Sequence, residues 1–118
     1  MGVSVVADGA AITEAVRAVA GVRLVDEIVA YVVGLVRATR ETPDLETGAS
    51  PRSAANLATA ARARAVLQGR DYVIPDDVKA LALPALRHRV ILSPAAEIEG
   101  RQADQIIQGL IERVEAPR

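Results

Sequence analysis

The sequence predicts a mainly α fold, a compact bundle of about five helices with a short two-stranded β pairing. The chain has 118 residues and is 51% hydrophobic, which suits a single domain with a buried core. Phe and Trp are absent and only two Tyr occur, so Ala, Val, Leu and Ile must fill that core, and Ala is the strongest helix former. Cys is absent as well, which excludes disulfides, thiolate metal sites and a cysteine nucleophile.

The first two helices are predicted from apolar spacing. Residues 1–11 lack helical periodicity and are interpreted as an irregular N-terminal segment or the cut end of a linker. From Ile12 to Val19 apolar residues recur at helical intervals, and Gly21 marks the end. A longer helix is predicted from about Val25 to Thr39. Its expected inner face consists of Val25, Ile28, Val29, Val32, Leu35, Val36 and Thr39.

A third helix follows a polar loop at residues 42–48. Ser50 is a candidate N-cap, Pro51 suits the first helical position, and an Ala-rich helix runs to about Gln68, closed by Gly69. Because its inner face is small, we expect the helix at residues 25–39 to pack closely against it. That face consists of Ala54, Leu57, Ala58, Ala61 and Ala65.

The last third of the chain combines helices with one expected β pairing. Pro75 opens a fourth helix, in which Pro84 predicts a kink or an early end. Residues 89–92 are expected to pair with residues 72–74, and residues 93–100 to form a loop. A final helix is predicted from about Ala103 to Val114, with an apolar stripe at Ile107, Leu110, Ile111 and Val114.

The sequence argues against a membrane partner. The longest strongly apolar stretch, from Ile28 to Val36, is well short of the roughly 18 residues that span a bilayer. The N-terminus lacks the basic flank of a secretory signal. We therefore expect a cytoplasmic protein.

Independent catalysis is not expected either. The chain has one His and no Cys, and its only Lys is Lys79, which no glycine-rich phosphate loop precedes. The basic residues are interspersed with acids and no aromatic cluster accompanies them, so no nucleic acid partner is predicted.

The corner formed by Ser50, Pro51 and Arg52 is the candidate site. A helix N-terminus presents unpaired N–H groups and the positive end of the helix dipole, and both suit an anion. Arg52 adds a guanidinium to that end. The alternative is a solvated arginine after an ordinary cap, and the residues alone favour this alternative.

For three other polar side chains, a structural role is a better explanation than catalysis or metal binding. Asp76 and Asp77 lie in the first turn of a helix, where the dipole favours acids, so we predict a structural role and no metal site. His88, between two arginines, is interpreted as a hydrogen-bonded or surface histidine and not as a catalytic one.

Several motifs in order resemble the C-terminal lid of MoxR-type AAA+ ATPases. The resemblance covers residues 12–118 and is carried by Tyr31, Ala38-Thr39-Arg40, Gly48-Ala49-Ser50-Pro51-Arg52, residues 69–78, Leu86-Arg87-His88-Arg89-Val90, Glu99-Gly100 and the closing residues 114–117. It implies a helical AAA+ lid domain at residues 12–118 that follows an α/β nucleotide-binding core.

The resemblance also implies a role for the corner. Arg52 matches the sensor 2 arginine, which approaches the γ-phosphate of ATP, and Ser50 and Pro51 belong to the same nucleotide-binding motif. The implied cofactors are ATP and Mg²⁺ in the full-length protein, with none expected for this chain alone. Whether Arg52 acts on its own subunit's nucleotide or on a neighbour's stays open.

The motifs of the ATPase core, including the Walker A loop, do not occur here, so the sequence looks like a piece of a longer ATPase. The implied partners are the ATPase core of the same chain, neighbouring subunits of a hexamer and von Willebrand A-domain proteins. The implied function is chaperone-like maturation of partner proteins, with no client indicated. The alternative is a stand-alone helical adaptor domain without a nucleotide role.

Overall fold

The structure, a computed structural model, describes residues 17–117. From Asp26 onward these residues form five helices and two antiparallel strands. In chain order they are α1 (Asp26–Glu41), β1 (Leu45–Thr47), α2 (Pro51–Leu67), α3 (Pro75–Leu86), β2 (Ile91–Leu92), α4 (Pro94–Ile98) and α5 (Ala103–Arg113). The predicted mainly α fold with one short β pairing is confirmed.

The segment before α1 is anchored beside the turn that precedes α3. Residues 17–20 are helical, whereas the rest of the helix predicted from Ile12, together with residues 1–11, lies outside the described residues. The Arg23 N–H donates to the carbonyl of Asp71 at 2.8 Å, and the Val73 N–H donates to the carbonyl of Arg23 at 3.1 Å. This pairing occupies the backbone of the segment that was expected to pair with residues 89–92.

Helix α1 is amphipathic and crosses the core. Acidic residues lie in its first turn and Arg40 in its last, as the helix dipole favours. The buried residues are Ile28, Tyr31, Val32, Leu35, Val36 and Thr39. Two residues assigned to this face from the sequence lie outside it, because Val25 is 47% exposed and Val29 is 40% exposed.

Helix α2 packs between α1 and α3. Its buried stripe has a spacing of four residues and consists of Ser53, Leu57, Ala61 and Ala65, while Ala54 and Ala58 are half-buried. The expected contact between α1 and α2 is present, but α2 contacts α3 more extensively. Small side chains on α2 let both neighbours approach closely.

The β pairing differs from the one expected. Strand β2 pairs with β1, with Leu45 opposite Leu92 and Thr47 opposite Ile91, so the loop expected at residues 42–48 contains a strand. Leu45 is buried with residues of α4 and α5 in a second small core. Through Leu45, one face of the two-stranded sheet packs against this second core.

Two helix boundaries near proline can be compared with expectation. Helix α3 ends at Leu86, two residues after Pro84, close to the early end that Pro84 predicts; the Pro84 side chain is exposed. Residues 94–98 form α4 instead of a loop, because Ser93 caps the helix by accepting from the Ala96 N–H at 3.2 Å and Pro94 occupies the first position.

Helix α5 closes the bundle against α1 and α3. Ile107, Leu110 and Ile111 are buried as expected, Ile106 joins them, and Val114 is half-buried. Among the described residues, none of the helices is long and apolar enough to cross a membrane.

Candidate functional site

The corner at the start of α2 is exposed. Ser50 is the N-cap residue in an extended conformation and Pro51 is the first helical residue, as predicted. The Ser50 side chain, however, makes no capping hydrogen bond; its carbonyl accepts from the Ser53 N–H at 2.9 Å. The first turn contains no acidic residue, so the positive end of the helix dipole is left uncompensated there.

Arg52 extends this positive end. Its side chain is exposed, and within the described part of the chain no salt bridge involves it. The guanidinium is therefore available to an anion. The structure thus places Ser50, Pro51 and Arg52 together on the surface, as the sequence predicts.

The position of the corner is fixed by the loop before it. Thr39 is buried in α1, and its hydroxyl donates to the Val36 carbonyl at 2.6 Å and accepts from the Ala49 N–H at 2.9 Å. Ala49 is fully buried. These contacts tie the residue just before Ser50 to the C-terminal half of α1.

Gly48 makes this approach possible. A Cβ atom at Gly48 would lie 2.5 Å from the Thr39 carbonyl oxygen and 2.6 Å from the Arg40 Cα. Real Cβ atoms do not come so close to backbone, so only glycine fits without a shift of one segment. The Gly48-Ala49 pair therefore sets where α2 begins relative to α1.

Two further arginines lie beside the corner. A cavity of about 260 Å³ is lined by Arg37 and Arg40 of α1, by Pro51 of α2 and by the apolar residues Val33, Val36 and Ala54. Neither Arg37 nor Arg40 belongs to the inner face that the sequence predicts for α1, and both are exposed. Their proximity to Pro51 depends on how α1 and α2 pack; the one hint was that Arg40 follows Thr39 in a motif of the resemblance.

The far end of α2 is held by a buried ionic cluster around Asp77. The Asp77 side chain is fully buried. It accepts from both terminal nitrogens of Arg70, at 2.7 and 2.6 Å, from Arg64 at 2.7 Å and from the Ile74 N–H at 2.9 Å. The cluster joins the end of α2, the following turn and the start of α3.

These contacts keep Asp77 ionised. Burial alone would raise its pKa, but hydrogen bonds from Arg70, Ile74 and Arg64 outweigh burial and lower the pKa to about 2. The structural role predicted for Asp77 is present, although its cause is this pairing more than the helix dipole. Asp76 is exposed.

Other candidates do not form a chemical site. His88 is exposed, as predicted for a surface histidine. The described residues contain no group of three or more His, Cys, Asp or Glu side chains that could hold a metal ion.

Comparison with known proteins agrees with this architecture. The sequence model of the AAA lid domain family matches residues 37–110. The uncharacterised protein YeaC of Bacillus subtilis is 45% identical over 101 residues, which cover 86% of this chain and 32% of YeaC. The chaperone MoxR1 of Mycobacterium tuberculosis is 36% identical over 100 residues, which cover 77% of this chain and 26% of MoxR1.

A solved structure shares the fold. The crystal structure of a Cytophaga hutchinsonii protein described as an ATPase superposes with a TM-score of 0.80 at 34% identity, over 86% of this chain and 34% of the other. The chain thus spans about a third or less of the length of the proteins it matches. Since the family match covers more than half of the chain, the chain belongs to the AAA lid domain family and is the lid domain of a MoxR-type AAA+ ATPase.

Proposed function

We propose that Arg52 is the sensor 2 residue of this lid and couples the nucleotide state of the ATPase to the position of the lid. The observation that carries the proposal is the exposed Arg52 guanidinium in the first turn of α2, with no acidic residue in that turn. A phosphate group is the anion that such an end attracts most directly, because helix N–H groups and a guanidinium both donate to its oxygens.

The rigidity of the corner supports the same role. Thr39, Gly48 and Ala49 fix the start of α2 against α1, and Asp77 fixes its end to α3. A force applied at Arg52 therefore moves α2 together with the helices packed on it. Coupling of the lid position to the nucleotide state requires that the helices of the lid move together in this way.

The donor set suits ATP phosphates but not the metal. The described residues offer no cluster of carboxylates or imidazoles for Mg²⁺, so we assign Mg²⁺ and the remaining nucleotide contacts to the ATPase core. Arg37 and Arg40, beside Pro51, add positive charge at the same end. Together the three arginines would attract the phosphate chain electrostatically.

For the complete protein we propose a cytoplasmic hexamer that hydrolyses ATP and acts as a chaperone in the maturation of partner proteins, alongside von Willebrand A-domain proteins. The name of the relative MoxR1, a chaperone, supports the chaperone role. Arg52 would act on the nucleotide of its own subunit or of a neighbour.

ATP turnover by the full-length ATPase tests the proposal. Arg52→Ala should lower kcat about tenfold or more, the loss expected when one contact to a transferred phosphoryl group is removed. Arg52→Lys should recover only part of the activity, because Lys keeps the charge without the planar donor pair. Arg89→Ala removes another exposed arginine and should leave turnover unchanged. Wild-type turnover in Arg52→Ala would contradict the sensor 2 role and would leave the corner as the start of a helix with a solvated arginine.

A further inference from the structure

The buried hydroxyl of Thr39 serves as an acceptor for the segment that leads into α2. Its one proton is used within α1, because it donates to the Val36 carbonyl at 2.6 Å. The oxygen is then free to accept, and the Ala49 N–H donates to it at 2.9 Å. The acceptor for this backbone group is thus a side chain, so a single substitution can remove it without changing the backbone of α1.

The segment cannot find another acceptor without moving. Ala49 is fully buried and Thr39 is 1% exposed, so water does not reach the Ala49 N–H. Gly48 already lies so close to the Thr39 backbone that a Cβ atom would clash with it. Since a buried N–H without an acceptor is costly, loss of the Thr39 oxygen would shift residues 48–50 toward a new partner or toward solvent.

Such a shift is passed on to Arg52. Arg52 lies three positions after Ala49, and the residues between them are stiff. Pro51 has a fixed φ at the first helical position, and the Ser50 carbonyl accepts from the Ser53 N–H at 2.9 Å, which closes the first turn of α2. A displacement at Ala49 therefore moves the base of the Arg52 side chain.

We propose that Thr39 is a positioning residue for Arg52: its hydroxyl oxygen sets where the Arg52 guanidinium lies relative to the transferred phosphoryl group. The proposal rests on the sensor 2 role proposed for Arg52. Because Thr39 is buried, it acts through Arg52 and not by touching the nucleotide. A misplacement of about 1 Å can lower a rate by about a hundredfold, so a small shift of this corner is enough to affect turnover.

A double-mutant cycle in the full-length ATPase tests the proposal. Thr39→Val keeps the shape but removes the acceptor, and should lower kcat about fivefold or more while the KM for ATP stays within about twofold of wild type. Thr39→Ser keeps the oxygen and should retain kcat within about twofold of wild type. In an Arg52→Ala background, Thr39→Val should lower kcat no further, because the group that it positions is gone.

Two further variants separate positioning from loss of stability. Ile106→Val truncates a buried side chain of the second small core and should leave kcat unchanged, although it destabilises the domain. Gly48→Ala pushes the same segment away from α1 and should lower kcat as Thr39→Val does, again with no further effect in the Arg52→Ala background. Gly48→Ala thus keeps the proposal testable where Thr39→Val does not fold.

The outcomes distinguish this inference from the proposed function. Wild-type kcat in Arg52→Ala would overturn the sensor 2 role and this inference with it. A loss in Arg52→Ala together with wild-type kcat in Thr39→Val would leave the sensor 2 role standing and overturn the positioning role. A further loss in the double variant, by the same factor as in Thr39→Val alone, would also overturn it, because Thr39 would then act independently of Arg52.

Discussion

The Thr39 hydroxyl accepts a hydrogen bond from the backbone N–H of Ala49 at 2.9 Å, which joins two residues ten positions apart. Thr39 is 1% exposed and Ala49 is fully buried. The bond therefore satisfies a backbone N–H that water cannot reach. It also holds the residue that leads into Ser50, Pro51 and Arg52, so the geometry of the candidate site depends on a side chain of α1.

Thr39→Val should destabilise the domain by about 1–3 kcal/mol, because the Ala49 N–H would remain buried without an acceptor. Urea denaturation followed by circular dichroism gives the free energy of unfolding. Thr47→Val is the matched control, since Thr47 is exposed in β1, and should change stability little. Equal stability of both variants would show that the bond contributes nothing.

Gly48→Ala should also destabilise the domain, by about 1–3 kcal/mol, because the new Cβ would force the Thr39 and Arg40 backbone away from the loop. Gly109 provides the opposite case. It lies within α5, and a Cβ there meets nothing within 4 Å, so Gly109→Ala should stabilise the domain by about 0.5–1 kcal/mol. Thermal unfolding measures both; a rise in Tm for Gly48→Ala would contradict the close approach.

Asp77 should make stability depend on acid pH. Its pKa in the folded protein is about 2, below the ordinary value of 3.8. The stabilisation is therefore complete above about pH 4 and is lost as the pH falls toward 2. Asp77→Asn should cost about 3 kcal/mol at neutral pH and should remove this part of the acid dependence.

Asp76→Asn is the control for the Asp77 variant, because Asp76 lies in the same first turn but is exposed. Its free energy of unfolding should follow the wild-type curve between pH 4 and pH 2. Urea titrations at several pH values measure both variants. An acid dependence that survives in Asp77→Asn would place its origin in other carboxyl groups.

Local signals predicted the helices better than the sheet. Pro51 and Pro75 each start a helix where the sequence placed it, because proline at the first position is a local preference. Ser93-Pro94 carries the same signal but was interpreted as a loop, since α4 is only one turn and a half long. The β1–β2 pairing was missed because two strands this short depend on burial of Leu45, which is a tertiary effect.

The candidate site was predicted only in part, because local motifs can be read from the sequence but contacts between helices cannot. Ser50, Pro51 and Arg52 are consecutive, so a local motif was enough to locate them. Arg37 and Arg40 join them only through packing of α1 against α2. The pairing of Asp77 with Arg64 and Arg70 needs the turn at the end of α2, where Gly69 has a φ of +77°, to bring Arg70 back toward α3. Such turns reverse the chain in a way that residue spacing does not reveal.

The 118-residue chain alone should not hydrolyse ATP. The phosphate loop that holds the nucleotide does not occur in its sequence, and phosphoryl transfer depends on that loop and its Mg²⁺ for charge stabilisation. Phosphate release by the purified chain should equal that of a sample carrying Arg52→Ala, prepared in the same way. Turnover that disappears in the variant would mean that this chain carries a catalytic site of its own.

Contact between Arg52 and the γ-phosphate position can be measured through the binding of a phosphoryl-transfer mimic. In the full-length ATPase, affinities for ADP and for ADP with aluminium fluoride, which mimics the phosphoryl group in transfer, can be compared by calorimetry. Arg52→Ala should weaken the aluminium fluoride complex about tenfold or more and leave ADP affinity nearly unchanged. Equal affinities of wild type and variant for both ligands, or an equal loss for both, would contradict a sensor role at that phosphate.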